Sequence, residues 1–156
     1  MAMRQWLELK IPPLLLALIV AGLMWVMVFI TPSTPFPLML RVPLTVLLAS
    51  AGVYFMVSGV LTFKLAETTV NPIRPETASS LVTHGVYRLS RNPMYLGFLL
   101  CLLGWGFLLG NLFSLLLAGG FAWYMTELQI KPEETALIQR FGDSYKDYLQ
   151  KTRRWI

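Results

Sequence analysis

Residues 94–125 read MYLGFLLCLLGWGFLLGNLFSLLLAGGFAWYM, 32 positions without one charged side chain. A helix rises about 1.5 Å per residue and the hydrocarbon core of a bilayer is about 30 Å thick, so one crossing takes about 20 apolar residues. The run is too long for one span and too short for two full ones. Gly110-Asn111 lies near its middle, and such a pair closes a tight turn between helices. The stretch therefore divides into two short apolar helices, 94–109 and 112–125. A single long tilted helix is the competing reading. The choice decides the fold, because a hairpin returns the flanking polar segments, 64–93 and 127–156, to the same side of the membrane.

Two further apolar runs precede it. Residues 11–30 give 20 uncharged positions and residues 42–63 give 22. The first is longer than the apolar segment of a signal peptide, and Thr31-Pro32-Ser33 is a poor cleavage site, so it reads as a retained helix. With four spans, 12 of the 13 Lys and Arg residues fall on one side, and Arg41 alone falls on the other. The positive-inside rule makes the basic side cytoplasmic. A three-span chain would lose this asymmetry, which favours the hairpin.

The expected fold is all-α: a polytopic integral membrane protein with about four transmembrane helices, the last two a short hairpin, and a cytoplasmic C-terminal amphipathic helix. Both termini are expected in the cytoplasm. One domain, 1–156, comprises two N-terminal spans (1–63), a cytoplasmic loop (64–93), the hairpin (94–126) and a cytoplasmic tail (127–156).

Composition agrees. Hydrophobic residues make up 56% and charged residues 13%, about half the usual charge. That excludes a disordered chain and an ordinary soluble enzyme. A net charge of +5 and a pI near 9.6 are explained by cytoplasmic loops facing anionic lipid, so no nucleic-acid partner is expected. Cys101 is the only cysteine, so there is no intramolecular disulfide, and no metal site is read. No span carries a charge inside its apolar run, which argues against an ion or proton pathway.

Chemistry is therefore sought in the two cytoplasmic segments. The first ends HGVYRLSRNPMYLG, residues 84–97. Pro93 fixes φ and should open the third helix, with Asn92 or Ser90 capping it. The free N–H groups of that turn, beside Arg88 and Arg91, would make an anion site. Equally, the arginines read as juxtamembrane anchors, and Tyr87 and Tyr95 as interfacial residues. Gly104-Trp105-Gly106 allows either close helix packing or close approach of a ligand. In the second segment Pro132 suits a first helical turn, where Glu133 and Glu134 favour the dipole or bind a ligand. Leu137, Ile138 and Phe141 form an apolar stripe that Tyr145 and Tyr148 extend past Gly142. This tail is expected on the membrane surface or folded over the hairpin. His84, the only histidine, reads as a loop residue.

These residues together resemble a family. Gly85-x-Tyr87-x-x-x-Arg91-Asn92-Pro93-x-Tyr95-x-Gly97, then Glu133-Glu134, Phe141-Gly142-x-x-Tyr145-x-x-Tyr148 and Arg153-Arg154-Trp155 are similar to the isoprenylcysteine carboxyl methyltransferases. Those are integral-membrane enzymes that use S-adenosylmethionine. They are related to the phospholipid N-methyltransferases, whose Gly-x-Gly and Glu-Glu motifs Gly104-Trp105-Gly106 and Glu133-Glu134 also resemble. The resemblance covers roughly 83–156. The carboxyl methyltransferase pattern often has Arg-His-Pro where this chain has Arg91-Asn92-Pro93, a departure toward the phospholipid type.

The resemblance implies methyl transfer from S-adenosylmethionine to a lipidic acceptor arriving from the bilayer. Gly85, Tyr87, Arg88, Arg91, Asn92, Pro93, Tyr95, Gly97, Gly104, Gly106, Glu133 and Glu134 are the expected cofactor-binding residues. A carboxylate acceptor needs no base, and Arg153 or Arg154 would orient it bidentately. An amine acceptor needs a proton acceptor, and Glu134 or Glu133 is the candidate. A non-enzymatic membrane scaffold, with every polar motif an anchor, is the alternative of a different class.

Overall fold

The computed structural model describes residues 9–33, 36–66 and 80–156. Arg4 and Arg74, which enter the orientation argument, lie outside the described residues, as does much of the 64–93 connection. Among the described residues the secondary structure is entirely helical. Helix α1 is Pro13–Ile30 and α2 is Leu38–Leu65. After a 3₁₀ turn at Gly85–Arg88 come α3, Pro93–Leu109, and α4, Leu112–Tyr124. A π-helical turn, Met125–Ile130, leads into α5, Lys131–Phe141, and then α6, Asp143–Lys151.

By length and composition, α1 and α2 are able to cross a membrane, and α3 is a shorter apolar helix of 17 residues. Large apolar side chains such as Leu18 and Phe29 on α1, and Met39 and Leu47 on α2, are exposed. Such faces suit a lipid surrounding rather than water.

The hairpin forms where the sequence places it. Gly110 takes a left-handed conformation (φ 59°, ψ 43°), and its N–H donates to the Gly106 and Phe107 carbonyls. Only glycine adopts that geometry at no steric cost. Arg41 reinforces the requirement, because its guanidinium occupies the place a Cβ on residue 110 would take. Asn111 then caps α4: its side-chain oxygen accepts the Ser114 N–H at 3.0 Å, and its amide donates to Thr31 Oγ1 at 2.7 Å. Ser114 Oγ donates to the Met24 carbonyl at 2.8 Å, tying α4 to α1.

Helix α3 is central. One face meets α2 along a seam of small residues seven apart, Gly52 and Gly59 against Gly97 and Gly104. A Cβ on Gly97 would come within 2.6 Å of the Gly52 carbonyl oxygen, and one on Gly104 within 3.2 Å of the Thr45 oxygen. Thr45 Oγ1 donates to the Gly104 carbonyl at 2.9 Å. The other face meets α1 and α4, where Met24, Leu102, Ala118 and Phe121 form a buried core. Gly106 lies on that side, and a Cβ there would stand 2.7 Å from Leu115 and 3.1 Å from Met24.

The tail departs from expectation in one respect. Pro132 does not open a separate helix. Backbone angles stay helical through Tyr124, Ile130 and Lys131, and the Lys131 N–H donates to the Thr126 carbonyl, an i→i+5 bond. Helices α4 and α5 are thus one path interrupted by a π turn, and that turn accommodates a residue without an N–H. Gly142 (φ 55°) breaks the path as expected, and α6 turns back. In the tail, Leu137, Ile138 and Phe141 pack with Val82, Val86 and Tyr87 of the segment before α3 and with Tyr145 and Tyr148 of α6.

The glycine seam yields a test. Gly97→Ala should destabilise the protein by about 1–3 kcal/mol through overpacking. Gly119→Ala, which meets nothing within 4 Å, should be neutral or slightly stabilising. Paired melting curves in detergent decide this, and equal melting temperatures would remove the seam.

Candidate functional site at the start of α3

Pro93 starts α3, and the three residues before it are held by the end of the chain. The Arg91 N–H donates to the Arg153 carbonyl at 3.0 Å, and Asn92 Nδ2 donates to the Arg154 carbonyl at 3.0 Å. Ser90, fully buried, accepts the Asn92 N–H at 3.1 Å and donates to the Arg154 carbonyl at 3.4 Å. Neither Asn92 nor Ser90 caps the helix by a side-chain bond to its first turn; both fasten the 153–154 stretch of chain instead.

Arg91 is the hub. Its Nη1 donates to the Leu149 and Thr152 carbonyls at 3.2 and 2.5 Å, closing the C-terminal end of α6, where a cation is favourable. Its Nη2 donates to Glu134 Oε1 at 2.8 Å. Arg154 approaches the same carboxylate from the other side, Nε to Oε1 at 3.1 Å and Nη2 to Oε2 at 2.7 Å. The three side chains are 10%, 13% and 31% exposed for Arg91, Glu134 and Arg154, so solvent screens this cluster little. Burial alone would raise the Glu134 carboxyl. Hydrogen bonds from Arg154 and Arg91, with their charges, outweigh it and hold the group below the usual carboxylate value.

Glu133, its neighbour, is in the opposite state. Its Oε1 accepts the Tyr95 hydroxyl at 2.6 Å and Gln129 Nε2 at 2.5 Å. Desolvation dominates these bonds and pushes the carboxyl up to about 7. Two adjacent acids are thus sorted by their surroundings, one ionised and one poised near neutrality.

The expected site residues divide accordingly. Arg91, Asn92, Pro93, Tyr95, Glu133, Glu134 and Arg154 come together. Gly97, Gly104 and Gly106 do not; they lie in helix contacts. Gly85 (φ 62°) faces Thr62, and Arg88 is exposed. Tyr87 is buried, its ring edge-on to Phe63 at 5.1 Å and its carbonyl accepting the Tyr148 hydroxyl at 2.6 Å. Three expected role residues have the following surroundings. The Arg154 fork binds Glu134. The Arg153 side chain is exposed, and what that residue contributes is its carbonyl. Glu134 lies between two guanidiniums, which hold its carboxyl below the usual value. Sequence reasoning missed Gln129 and Thr152. Gln129 was within reach of the sequence as an amide four residues before Glu133, on the same helical face.

With this geometry in place, residues 40–144 match the phospholipid methyltransferase family. The chain belongs to that family. The phospholipid methyltransferase region spans α2, the hairpin and the acid pair, and ends before Arg153 and Arg154. Similar proteins bear a related name. The protein-S-isoprenylcysteine O-methyltransferase of Schizosaccharomyces pombe is 44% identical over 71 residues, which is 46% of this chain and 30% of that protein. A probable protein-S-isoprenylcysteine O-methyltransferase of Oryza sativa subsp. indica is 36% identical over 107 residues, 64% of this chain and 56% of the relative. An uncharacterized protein of Haemophilus influenzae is 46% identical over 63 residues, its entire length and 40% of this chain. The matches thus span about a third to a little over half of the named relatives. No solved structure matches.

The cluster predicts how this phospholipid methyltransferase family member responds to acid. A carboxyl with a lowered folded pKa contributes stability above its unfolded value and loses it as pH falls through the folded value. Glu134→Gln should therefore destabilise the protein at neutral pH by roughly 1.5–3 kcal/mol, the range for bonds to charged groups, read as a lower melting temperature. The difference from wild type should shrink as pH falls below the carboxylate range. Arg91→Ala should cost more than Arg154→Ala, because Arg91 also closes α6. Identical acid profiles for wild type and Glu134→Gln would show that the cluster contributes nothing.

Proposed function

We propose that this chain is an S-adenosylmethionine-dependent integral-membrane methyltransferase that O-methylates the carboxylate of an isoprenylcysteine-like lipid. It spans the membrane four times with both termini in the cytoplasm, and its acceptor enters laterally from the bilayer. The names of the relatives support the chemistry. The observation that carries the reading is a pair of unused polar groups, one on Arg91 and one on Glu133. Arg91 Nε is a buried donor without a partner among the described residues, and Glu133 Oε2 accepts no hydrogen bond from them. One unpaired donor on a cation and one unpaired acceptor on an acid fit the carboxylate and ammonium of an amino-acid zwitterion, which S-adenosylmethionine carries.

When bound, the cofactor supplies a methyl group on an electrophilic sulfonium. The chain's own residues bind and orient. Arg91, already fixed by Glu134 and two carbonyls, offers its guanidinium edge without conformational loss. Glu133 offers one oxygen, because Tyr95 and Gln129 hold the other. An ionised carboxylate acceptor needs no base, so the protein must place it in line and limit its hydration. The acid pair favours a second reading, methylation of a phospholipid amine: a carboxyl near 7 is suited to take the proton that an amine must lose.

Isothermal titration of purified protein with S-adenosylmethionine and with S-adenosylhomocysteine is the test. Micromolar to millimolar binding is expected; absence of binding at about millimolar ligand overturns the enzyme in favour of a scaffold. Labelled methyl transfer to a farnesyl-cysteine analogue against phosphatidylethanolamine then separates the two acceptors.

A further inference from the structure

Gln129 is a buried polar side chain, only 2% exposed and carried on the π turn. Its placement is a matter of helical phase. On α4 the buried positions are Ser114, Ala118 and Phe121, and Met125 follows in the same spacing of about 3.6. Continued as an α-helix, that face would pass residues 128–129 and reach residue 132 two turns past Met125, and Pro132 would stand before the start of α3. The i→i+5 bond from the Lys131 N–H to the Thr126 carbonyl inserts one residue into the turn. The phase slips by one position, and Glu133 takes the place instead, against Tyr95. Leu128, Gln129 and Ile130 are three consecutive buried residues, as a widened turn allows.

The same turn aims Gln129 at the acid it has brought in. Gln129 Nε2 and the Tyr95 hydroxyl both donate to Glu133 Oε1, from α4's continuation and from α3 respectively. We propose that Gln129 is a positioning residue: seated by the π turn, it locks Glu133 Oε1 so that Oε2 alone is presented to a ligand's cationic donor. This rests on the cofactor reading for the ligand, though the lock itself is a property of the free protein. Gln129 also favours the ionised carboxylate, opposing desolvation. Tyr95 and Glu134 are the other titratable groups that act on Glu133, and Tyr87 and Tyr145 feel its charge.

A carboxyl whose folded pKa is raised contributes stability fully below its ordinary value of 4.5, and that contribution is lost as pH rises through about 7. Removing a donor to the carboxylate moves the upper limit to higher pH. Full-length protein in detergent is melted without ligand from about pH 5 to about pH 9, and titrated with S-adenosylhomocysteine over the same range, as wild type, Gln129→Met and Gln129→Glu. Gln129→Met should move the loss of stability to higher pH. It should also weaken binding at pH 7 by up to about tenfold, as fewer Glu133 carboxyls are ionised there, with recovery toward wild type at alkaline pH. Gln129→Glu, nearly isosteric, should move both profiles in the same direction and further. Profiles coincident with wild type in the folded variants overturn the proposal. Should wild type bind no S-adenosylhomocysteine, the cofactor reading fails alone. The ligand-free melting profile still decides Gln129, a displaced profile supporting the lock and a coincident one overturning it.

Discussion

Everything on the polar side of this protein hangs from the Arg91 guanidinium. It reaches three elements at once: the acid of α5, the last carbonyls of α6 and, through the N–H of the same residue, the chain after α6. An apolar hairpin cannot by itself specify where a polar tail lies, because burial is non-directional. A planar fork with fixed donors can, since each partner must come to a defined place. The Tyr145–Tyr148 cluster supplies adhesion for α5 and α6, and Arg91 supplies register.

The apolar helices follow a different constraint. Between helices already surrounded by lipid, apolar area gives little drive for association, so contact must be close and polar groups must be satisfied within the protein. The α2–α3 seam meets the first demand with glycines seven apart. The Asn111, Ser114 and Thr31 bonds meet the second at the hairpin turn. Arg41, the lone base expected on the outer side, lies against that same turn, near the carbonyl end of α3, where a positive charge is favoured.

How much of this was legible in the sequence depends on the range of the interaction. The hairpin, the Pro93 start and the Gly142 break were all readable, because each rests on backbone preferences of one or two residues. The motif residues Arg91, Tyr95, Glu133 and Glu134 were legible as a group. Their separate roles were not: Glu134 is held ionised because Arg154 arrives from 20 residues further on, and Glu133 is poised near neutrality because its burial outweighs the bonds from Tyr95 and Gln129. The glycines of α3 illustrate the same limit, since Gly104-Trp105-Gly106 reads alike whether its neighbour is a ligand or, as found, α2 and α4. The π turn itself left no local mark, for Pro132 is equally at home at a helix start.

That turn has a consequence for how related chains are to be compared. A helix that carries one extra residue per turn is, in alignment terms, a one-position insertion hidden inside continuous secondary structure. A relative with an uninterrupted α-helix would need its acid one place earlier to face the same tyrosine. Gapless alignment through this region would then pair functional acids with silent neighbours. The equivalence of residues here is set by angular position about the helix axis, not by count along the chain.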